Sequence, residues 1–385
     1  MKNNFKHFDL RMVTPSYDSE LTDIVIDLEK LRPGRKISTE IYSSFFNQLK
    51  QIFHILESLG SVRIEGNNTT LSELVEKTIN GSINTSPEEQ TKEYKNNLIA
   101  LEFIEAYIEK GTKIDRAFIS ELHKIIVNDL ATNLEGDKNP GEYRKMPVVI
   151  SKSNHKPPPP EQVSPYADEL LAFINKYAGK QKYNLLATAI AHHRFSWIHP
   201  FRNGNGRVVR LITYAMLLSM GFAVKGILNP TAIFCIDREK YYSMLSAADQ
   251  GKDSGILVWC EYVLKNLNSE IFKIEKLLNT DYLLQKIIYP ALEDSLSHKI
   301  ITPDEFIILK NGAKLGEFKA SDVNSLLNKK YPYETSRLIT RLKEQKMITT
   351  KPNHSRIYNI SFIENKLMRG LISNLKTEGF VPFDD

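Results

Sequence analysis

The stretch His199-Pro-Phe-Arg-Asn-Gly-Asn-Gly-Arg-Val-Val-Arg210 decides how this 385-residue chain is organised. Residues 185–198 before it and residues 211–220 after it carry apolar side chains in a pattern typical of helices. The stretch therefore predicts two helices joined by a loop, with the polar atoms in the loop.

Two glycines, Gly204 and Gly206, flank Asn205 in this loop. Glycine takes a positive φ without strain, and because it has no Cβ it lets consecutive N–H groups approach a ligand. The loop then opens a helix whose first turn has unpaired N–H groups and the positive end of the helix dipole. These features predict a cradle for an anion.

The side chains around the cradle indicate its chemistry. Arg207 and Arg210 lie three positions apart, so they share one helix face and offer fork-shaped donors to phosphate oxygens. The imidazole of His199 titrates near neutral pH and is placed to take a proton from an incoming hydroxyl. A base beside a polyphosphate site predicts nucleotidyl or phosphoryl transfer. The loop matches neither the dinucleotide-binding nor the P-loop pattern.

The whole stretch resembles the signature of the Fic family, His-x-Phe-x-(Asp/Glu)-Gly-Asn-Gly-Arg-x-x-Arg. The resemblance implies a mainly α protein, with an all-helical Fic core and a short β-hairpin flap. It implies transfer of AMP from ATP to a Ser, Thr or Tyr hydroxyl of a target protein, with His199 as general base and Phe201 packed in the core. It assigns nucleotide binding to the following residues: Asn203, Gly204, Asn205, Gly206, Arg207, Arg210, Tyr241 and Tyr242. Core packing is the competing interpretation for each tyrosine.

Position 203 departs from the family signature, which has an acid there to carry the Mg2+ that bridges the phosphates. Asn203 brings an amide oxygen, which is a metal ligand without negative charge, whereas hard cations favour carboxylates. One unit charge at 4 Å contributes roughly 4 kcal/mol at an effective dielectric constant of 20. We therefore expect ATP as substrate with Mg2+ or Mn2+, and we expect Asn203 to alter metal affinity, rate or the group transferred.

A second motif lies upstream, at Ser61, Glu65 and Gly66. An isolated glutamate near a turn is usually a solvated surface residue. The three residues nevertheless resemble the Ser/Thr-x-x-x-Glu-Gly/Asn motif of one Fic class, in which the glutamate pairs with the second arginine of the signature. Because a carboxylate on Arg210 would compete with phosphate for the same fork, we predict that Glu65 is autoinhibitory. The resemblance also allows Glu65 to position water for the reverse reaction, removal of AMP.

β-Branched residues bounded by turn formers predict a strand in residues 141–151. By resemblance to the family, residues 146–154 belong to a hairpin flap that aligns the side chain of the target through main-chain pairing.

Composition excludes several classes of protein. The net charge of +5 does not by itself indicate a class of binding partner. The two cysteines, Cys235 and Cys260, indicate neither a disulfide framework nor a zinc site. The longest apolar run, residues 211–224, is shorter than the ~20 residues that span a membrane, and no N-terminal signal is visible. We expect a cytoplasmic protein that does not bind membranes.

The C-terminal part reads as three helices followed by two short strands, which is the order of a winged helix-turn-helix. Between positions 329 and 356 the sequence has eight Lys or Arg residues against two Glu. They include Arg337, Arg341 and Lys343 on the third helix, and His354 and Arg356 on the hairpin, which together make a footprint for DNA phosphates. The alternatives are a protein-contact module and a solvated basic face.

The sequence thus predicts an N-terminal helical region with the inhibitory motif (1–105), a Fic catalytic core (106–280) and a winged helix-turn-helix domain (281–385). The leading hypothesis is a protein adenylyltransferase whose partners are ATP and a hydroxyl-bearing target protein. DNA, bound through the C-terminal domain, and a second copy of the chain in a homodimer are further candidate partners. One alternative is a DNA-binding transcriptional regulator whose Fic domain is inactive or senses nucleotide. Another is a Fic-type transferase of a different phosphate group.

Overall fold

A computed structural model describes residues 5–32, 43–150, 153–222, 227–228, 230–327, 332–351 and 353–383. In chain order its helices and strands are α1 (Glu20–Leu31), α2 (Ser43–Glu65), α3 (Leu71–Ile79), α4 (Glu89–Tyr107), α5 (Arg116–Ile126), α6 (Pro160–Ala178), α7 (Gln181–Ile198), α8 (Asn205–Ser219), α9 (Ala232–Cys235), α10 (Arg238–Ala248), α11 (Asp253–Leu277), α12 (Thr280–Tyr282), α13 (Tyr289–Ser297), α14 (Pro303–Leu315), α15 (Ala320–Asn324), α16 (Pro332–Glu344), β1 (Ile348–Lys351), β2 (His354–Ile360) and α17 (Leu367–Thr377). The predicted mainly α fold is confirmed.

The chain forms two compact units. The first takes residues 1–34, 54–68 and 87–272, and the second takes residues 35–53, 69–86 and 273–385. The division into three domains that the sequence suggests has different boundaries and stays a prediction. Among the described residues, no helix combines the length and the apolar character needed to cross a bilayer.

Helices α7 and α8 form the centre of the first unit. Their side chains are buried on nearly every face, and α6 packs on α7 while α4 and α5 pack on α8. A helix that is buried all round needs no amphipathic stripe. The charged side chains that the two helices bury, such as Arg194 and Arg210, are bonded to carboxylates of other elements. The pair therefore gives the connecting loop, residues 199–204, a rigid support.

The predicted strand in residues 141–151 is wrong over the described part, residues 141–150, which is irregular. A buried arginine, Arg144, replaces strand pairing as the partner of the local backbone. Its backbone N–H donates to Pro200 O (2.8 Å), and its guanidinium donates to Met146 O (3.2 Å) and Pro158 O (2.6 Å). Residues 151 and 152 of the predicted flap lie outside the described residues, and the role of the flap stays a prediction.

In the second unit, α14, α15 and α16 precede the antiparallel hairpin of β1 and β2, which is the predicted order of elements. Helix α14 starts where Thr302 and Glu305 form a capping box, since each side chain accepts from the other's backbone N–H. Strand β1 pairs with β2 in a register that places Ile348 opposite Ile360.

The basic residues predicted to contact DNA differ in their surroundings. Arg337 and Lys343 on α16 and Arg356 on β2 are exposed. Arg341 is also exposed, but it pairs with Glu305, a buried carboxylate, at 3.2 Å. Lys329 and Lys330 lie outside the described residues. The winged helix-turn-helix assignment and its contact with DNA stay predictions.

Candidate active site

The loop between α7 and α8 turns sharply at both ends. His199 ends α7 in the left-handed region, with φ 50°, and Gly204 precedes α8 with φ 72°. Between them Phe201 is fully buried and stacks on the ring of His123, with centroids 3.8 Å apart. Asn205 closes the loop, because its side chain accepts from Phe201 N (2.8 Å) and donates to Phe201 O (2.9 Å). The loop is therefore held by its own side chains before any ligand binds.

This loop lines a cavity of about 250 Å3 in the first unit. Most of the predicted site residues share its lining: His199, Asn203, Gly204, Asn205, Gly206, Arg210, Tyr241, Tyr242 and Glu65. Three predicted residues, Ser61, Gly66 and Arg207, do not line it. Two further residues that do, Glu135 and His155, were not singled out by the sequence.

The environment of His199 suits a proton acceptor. Its side chain lines the cavity, and desolvation lowers its pKa to about 4, with the positive charge of Arg144 acting in the same direction. The imidazole is therefore neutral at physiological pH and has a lone pair available for a proton.

Arg144 also fixes the backbone of His199. Its Nε donates to His199 O at 2.8 Å, and its Nη2 donates to Ile198 O at 3.3 Å. No motif in the sequence indicates this role, because Arg144 lies 55 residues from His199 in a segment predicted to be a strand. It is a positioning residue for the proposed base.

Arg144→Met is expected to lower the free energy of unfolding by about 2–4 kcal/mol, because it leaves several buried carbonyl groups without a donor. Chemical denaturation measures this loss. The matched control is Lys145→Met at the neighbouring, exposed position, where we expect a change within about 0.5 kcal/mol. Equal stability of the two variants would contradict the role given to Arg144.

Arg210 is buried at the floor of the cavity and is bound from α2. Its Nη2 donates to Glu65 Oε1 at 2.7 Å, and its Nε donates to Ser61 Oγ at 3.0 Å. Desolvation raises the pKa of Glu65, but the charge and hydrogen bond of Arg210 outweigh it, so the pKa lies below its ordinary value. Glu65 is therefore an anion that occupies the fork of Arg210. Gly66 follows at the end of α2 with φ 111°.

The carboxylate of Glu65 also lies against the cradle. A Cβ added to Gly206 would come within 2.1 Å of Glu65 Oε1, so only glycine leaves room for it there. The same added Cβ would lie 3.2 Å from Nη1 of Arg210. This nitrogen has no hydrogen-bond partner among the described residues. An unpaired guanidinium nitrogen beside backbone N–H groups indicates a site for an anion.

Arg207 lies elsewhere than predicted. It is fully buried behind the cavity wall, and its Nη2 donates to Glu135 Oε2 at 2.8 Å and to Glu135 O at 3.2 Å. Desolvation raises the pKa of Glu135 and Arg207 opposes this rise. In this structure Arg207 holds the loop that carries Glu135 and does not face the cavity.

The side chain of Asn203 reaches the same loop. Its Nδ2 donates to Leu134 O at 3.1 Å and to Gly136 O at 2.6 Å. Among the described residues no group of three or more His, Cys, Asp or Glu side chains is arranged to hold a metal ion. A Mg2+ carried by a nucleotide needs fewer protein ligands, since phosphates and water supply most of its oxygens. The carboxylate of Glu135, which lines the cavity, fits that smaller requirement.

The two predicted tyrosines differ in exposure. Tyr241 is 2% exposed, bonds His192 Nε2 at 2.9 Å through its hydroxyl and packs on Phe234, so it is mainly a core residue. Tyr242 is partly exposed, and its hydroxyl donates to Ile64 O at 3.4 Å. Of the two rings, that of Tyr242 is the more exposed.

Comparison with known proteins identifies relatives of the part of the chain that carries this cavity. The model of the Fic/DOC family matches residues 113–217. The protein adenylyltransferase Fic of Drosophila virilis is 26% identical over 232 residues, which are 59% of this chain and 44% of that protein. Its counterpart in Drosophila willistoni is 27% identical over 201 residues, 51% of this chain and 37% of that protein. The chain thus spans less than half the length of these relatives.

Two solved structures share the fold. A Fic family protein from Desulfovibrio desulfuricans G20 aligns with a TM-score of 0.55 at 19% identity, covering 91% of this chain and 97% of that one. A Fic domain containing signaling protein from Bacteroides thetaiotaomicron VPI-5482 aligns with a TM-score of 0.53 at 22% identity, covering 68% of this chain and 98% of that one. At these identities the similarity establishes the fold alone.

Proposed function

Since residues 113–217 form a Fic/DOC family domain, we propose that this protein transfers AMP from ATP to a hydroxyl group of a target protein. One observation carries the proposal: His199, the glycine cradle and Arg210 line a single cavity, and a carboxylate occupies the arginine. A neutral base, an anion cradle and a buried cation are the three groups that attack on a polyphosphate requires.

In the proposed reaction His199 takes the proton of the target hydroxyl, whose oxygen attacks the α-phosphorus of ATP. A new oxygen–phosphorus bond forms, the bond to the β-phosphate oxygen breaks, and pyrophosphate leaves with the electron pair. Gly204, Gly206 and Arg210 bind the phosphates and stabilise the charge that develops on them. A Mg2+ or Mn2+ ion bound with the nucleotide would neutralise part of the phosphate charge, and Glu135 is the carboxylate of the cavity wall that could hold it.

Glu65 restrains this reaction in the proposal. While Glu65 Oε1 is bonded to Nη2 of Arg210 and lies against Gly206, a phosphate oxygen cannot take either of these two positions. Nucleotide binding in a productive pose therefore requires Glu65 to leave. The same carboxylate, beside the cradle, is suitably placed to orient water for the removal of AMP from a modified target.

The experiment that tests the proposal compares ATP labelled at the α-phosphate with ATP labelled at the γ-phosphate, using the Glu65→Gly protein and self-modification as the readout. Label from the α-phosphate alone supports AMP transfer. Label from the γ-phosphate alone would indicate phosphorylation instead. Absence of both labels from protein that binds ATP would favour the nucleotide-sensing regulator.

We expect AMP transfer to be nearly independent of pH between 6 and 8. Because the pKa of His199 is lowered to about 4, the base form persists through this range and is lost only as pH falls through 4. Glu65 raises the pKa of His199, so removing Glu65 preserves this behaviour. A histidine with an ordinary pKa would be only about one quarter neutral at pH 6. Initial rates of AMP transfer by Glu65→Gly at pH 6 and pH 8 distinguish a lowered pKa of His199 from an ordinary one. A fourfold fall in rate at pH 6 would contradict the lowered pKa.

A further inference from the structure

We propose that Glu135 supplies the carboxylate for the divalent cation that accompanies the nucleotide, in place of the acid absent from position 203. The inference rests on the proposed function, since it concerns the same cavity. It assigns Asn203 a different task, which is to fix the loop that presents Glu135.

The loop around Glu135 is fixed from three sides. The Asn203 amide donates to the carbonyl groups on both sides of Glu135, those of Leu134 and Gly136. Gly136 N donates to Ala131 O at 3.0 Å, and a Cβ on Gly136 would come within 2.2 Å of Leu130 O. The backbone of the loop therefore has one tight path, and its side chain at 135 is directed by it.

The carboxylate of Glu135 lies at the cavity wall and is paired with a buried arginine. Arg207 donates to Oε2 at 2.8 Å from a fully buried position, and the side chain of Glu135 remains 37% exposed. Glu135 Oε1 has no hydrogen-bond partner among the described residues. One oxygen is thus anchored while the other is available to a ligand, which is the usual arrangement of a preorganised metal carboxylate.

A second, independent feature indicates that a charged ligand enters here. Arg210 lines the cavity, and its buried Nη1 lacks a hydrogen-bond partner among the described residues, as expected of a group that binds a phosphate. A polyphosphate placed between Arg210 and Glu135 would meet a carboxylate of its own sign. A divalent cation between the two removes this repulsion, because it binds both carboxylate and phosphate oxygens.

Asn203 itself is a poor candidate for the charged ligand. Both hydrogen bonds observed for its amide nitrogen are used to hold the loop, and its oxygen has no negative charge. The amide is suited to the clamp because it donates two hydrogen bonds, whereas an ionised aspartate at this position would donate none.

The test measures the coupling between metal and nucleotide by binding, without catalysis. The probe is an ATP analogue with a non-cleavable bridge between the α- and β-phosphates, titrated by calorimetry into Glu65→Gly with and without Mn2+. We expect Mn2+ to tighten binding by about tenfold or more, within the usual range of coupling between ligands. In Glu65→Gly with Glu135→Gln the expected gain falls to about twofold, and electron paramagnetic resonance should show less bound Mn2+.

Further variants separate a metal ligand from a structural residue. Adding Asn203→Asp to Glu65→Gly with Glu135→Gln is expected to restore much of the coupling, because it returns a carboxylate to the cavity. Glu135→Asp keeps the negative charge and should retain part of the coupling between Mn2+ and the nucleotide. The matched control is Glu142→Gln, which removes an exposed carboxylate paired with Lys145 and should leave the coupling unchanged.

Two outcomes overturn the inference. Coupling that is unchanged in Glu135→Gln would mean that Glu135 is not the ligand of the metal. If Glu135→Gln binds the ATP analogue more tightly, and by the same factor with and without Mn2+, then Glu135 is a second inhibitory carboxylate, paired with Arg207. If the analogue fails to bind Glu65→Gly at all, the proposed function fails, and this result is distinct from the other two.

Discussion

Replacing Glu65 with glycine is expected to raise AMP transfer by roughly 10–100-fold at subsaturating ATP. The substitution removes the charge-assisted hydrogen bond to Arg210 and the carboxylate that lies against Gly206. A hydrogen bond to a charged group contributes about 1.5–3 kcal/mol, and each 1.4 kcal/mol corresponds to tenfold in affinity. Most of the gain should therefore appear as tighter nucleotide binding, with intact mass reporting the addition of AMP.

Two variants identify the cause of this gain. Glu65→Gln keeps the size of the side chain but loses its charge, so it should give an intermediate increase. Ser61→Ala removes an uncharged acceptor from Arg210 Nε and leaves the carboxylate of Glu65 in place. It should change transfer by no more than about fivefold, since a hydrogen bond contributes about 1 kcal/mol and 1.4 kcal/mol corresponds to tenfold. Activation by Ser61→Ala as large as that by Glu65→Gly would point to loosening of α2 and not to a competing charge.

A rise in ATP affinity in Glu65→Gly would show that Glu65 competes with the nucleotide for Arg210. If Glu65→Gly transfers AMP faster without binding nucleotide more tightly, then Glu65 acts on the pose of ATP and not on access to Arg210. If neither rate nor affinity changes, the bond between Glu65 and Arg210 is structural, and the inhibitory role assigned by resemblance is wrong.

The sequence predicted the parts of this site that are local. The loop of residues 199–210 is specified by its own glycines, by His199 and by the apolar patterns on either side, so its path follows from short-range rules. The pairing of Glu65 with Arg210 spans 145 residues and was expected only because the upstream motif resembles a known one. Contacts without such a motif leave no trace in a single sequence.

Glu135 and Arg144 show why the remainder was missed. Each acts through a contact with a distant part of the chain: Glu135 with Arg207, 72 residues away, and Arg144 with His199. The spacing of Arg207 and Arg210 predicts a shared helix face beside the cradle, but in a helix buried on all sides spacing does not determine which side chain lines the cavity. Packing of the α5–α6 connection against α8 decides which arginine reaches the cavity.

His199→Ala in the Glu65→Gly background is expected to lower the rate of AMP transfer by about 10²–10⁴-fold, the usual contribution of a positioned general base. Because the imidazole acts on a proton that moves in the transition state, the effect should fall on the rate and not on nucleotide binding. Single-turnover transfer and calorimetric binding of ATP measure the two quantities separately. We expect the affinity for ATP to remain within about threefold.

His155→Ala is the comparison variant, since His155 also lines the cavity but is bonded to Trp197 O at 2.8 Å. It should retain transfer within about tenfold, because it leaves the proposed base in place. Parallel loss in both variants would mean that no single imidazole is the base. Loss of ATP affinity in His199→Ala would carry a different meaning: His199 ends α7 with φ 50°, so its replacement would then have displaced the loop that binds the phosphates. Only a fall in rate at constant affinity identifies His199 as the group that takes the proton.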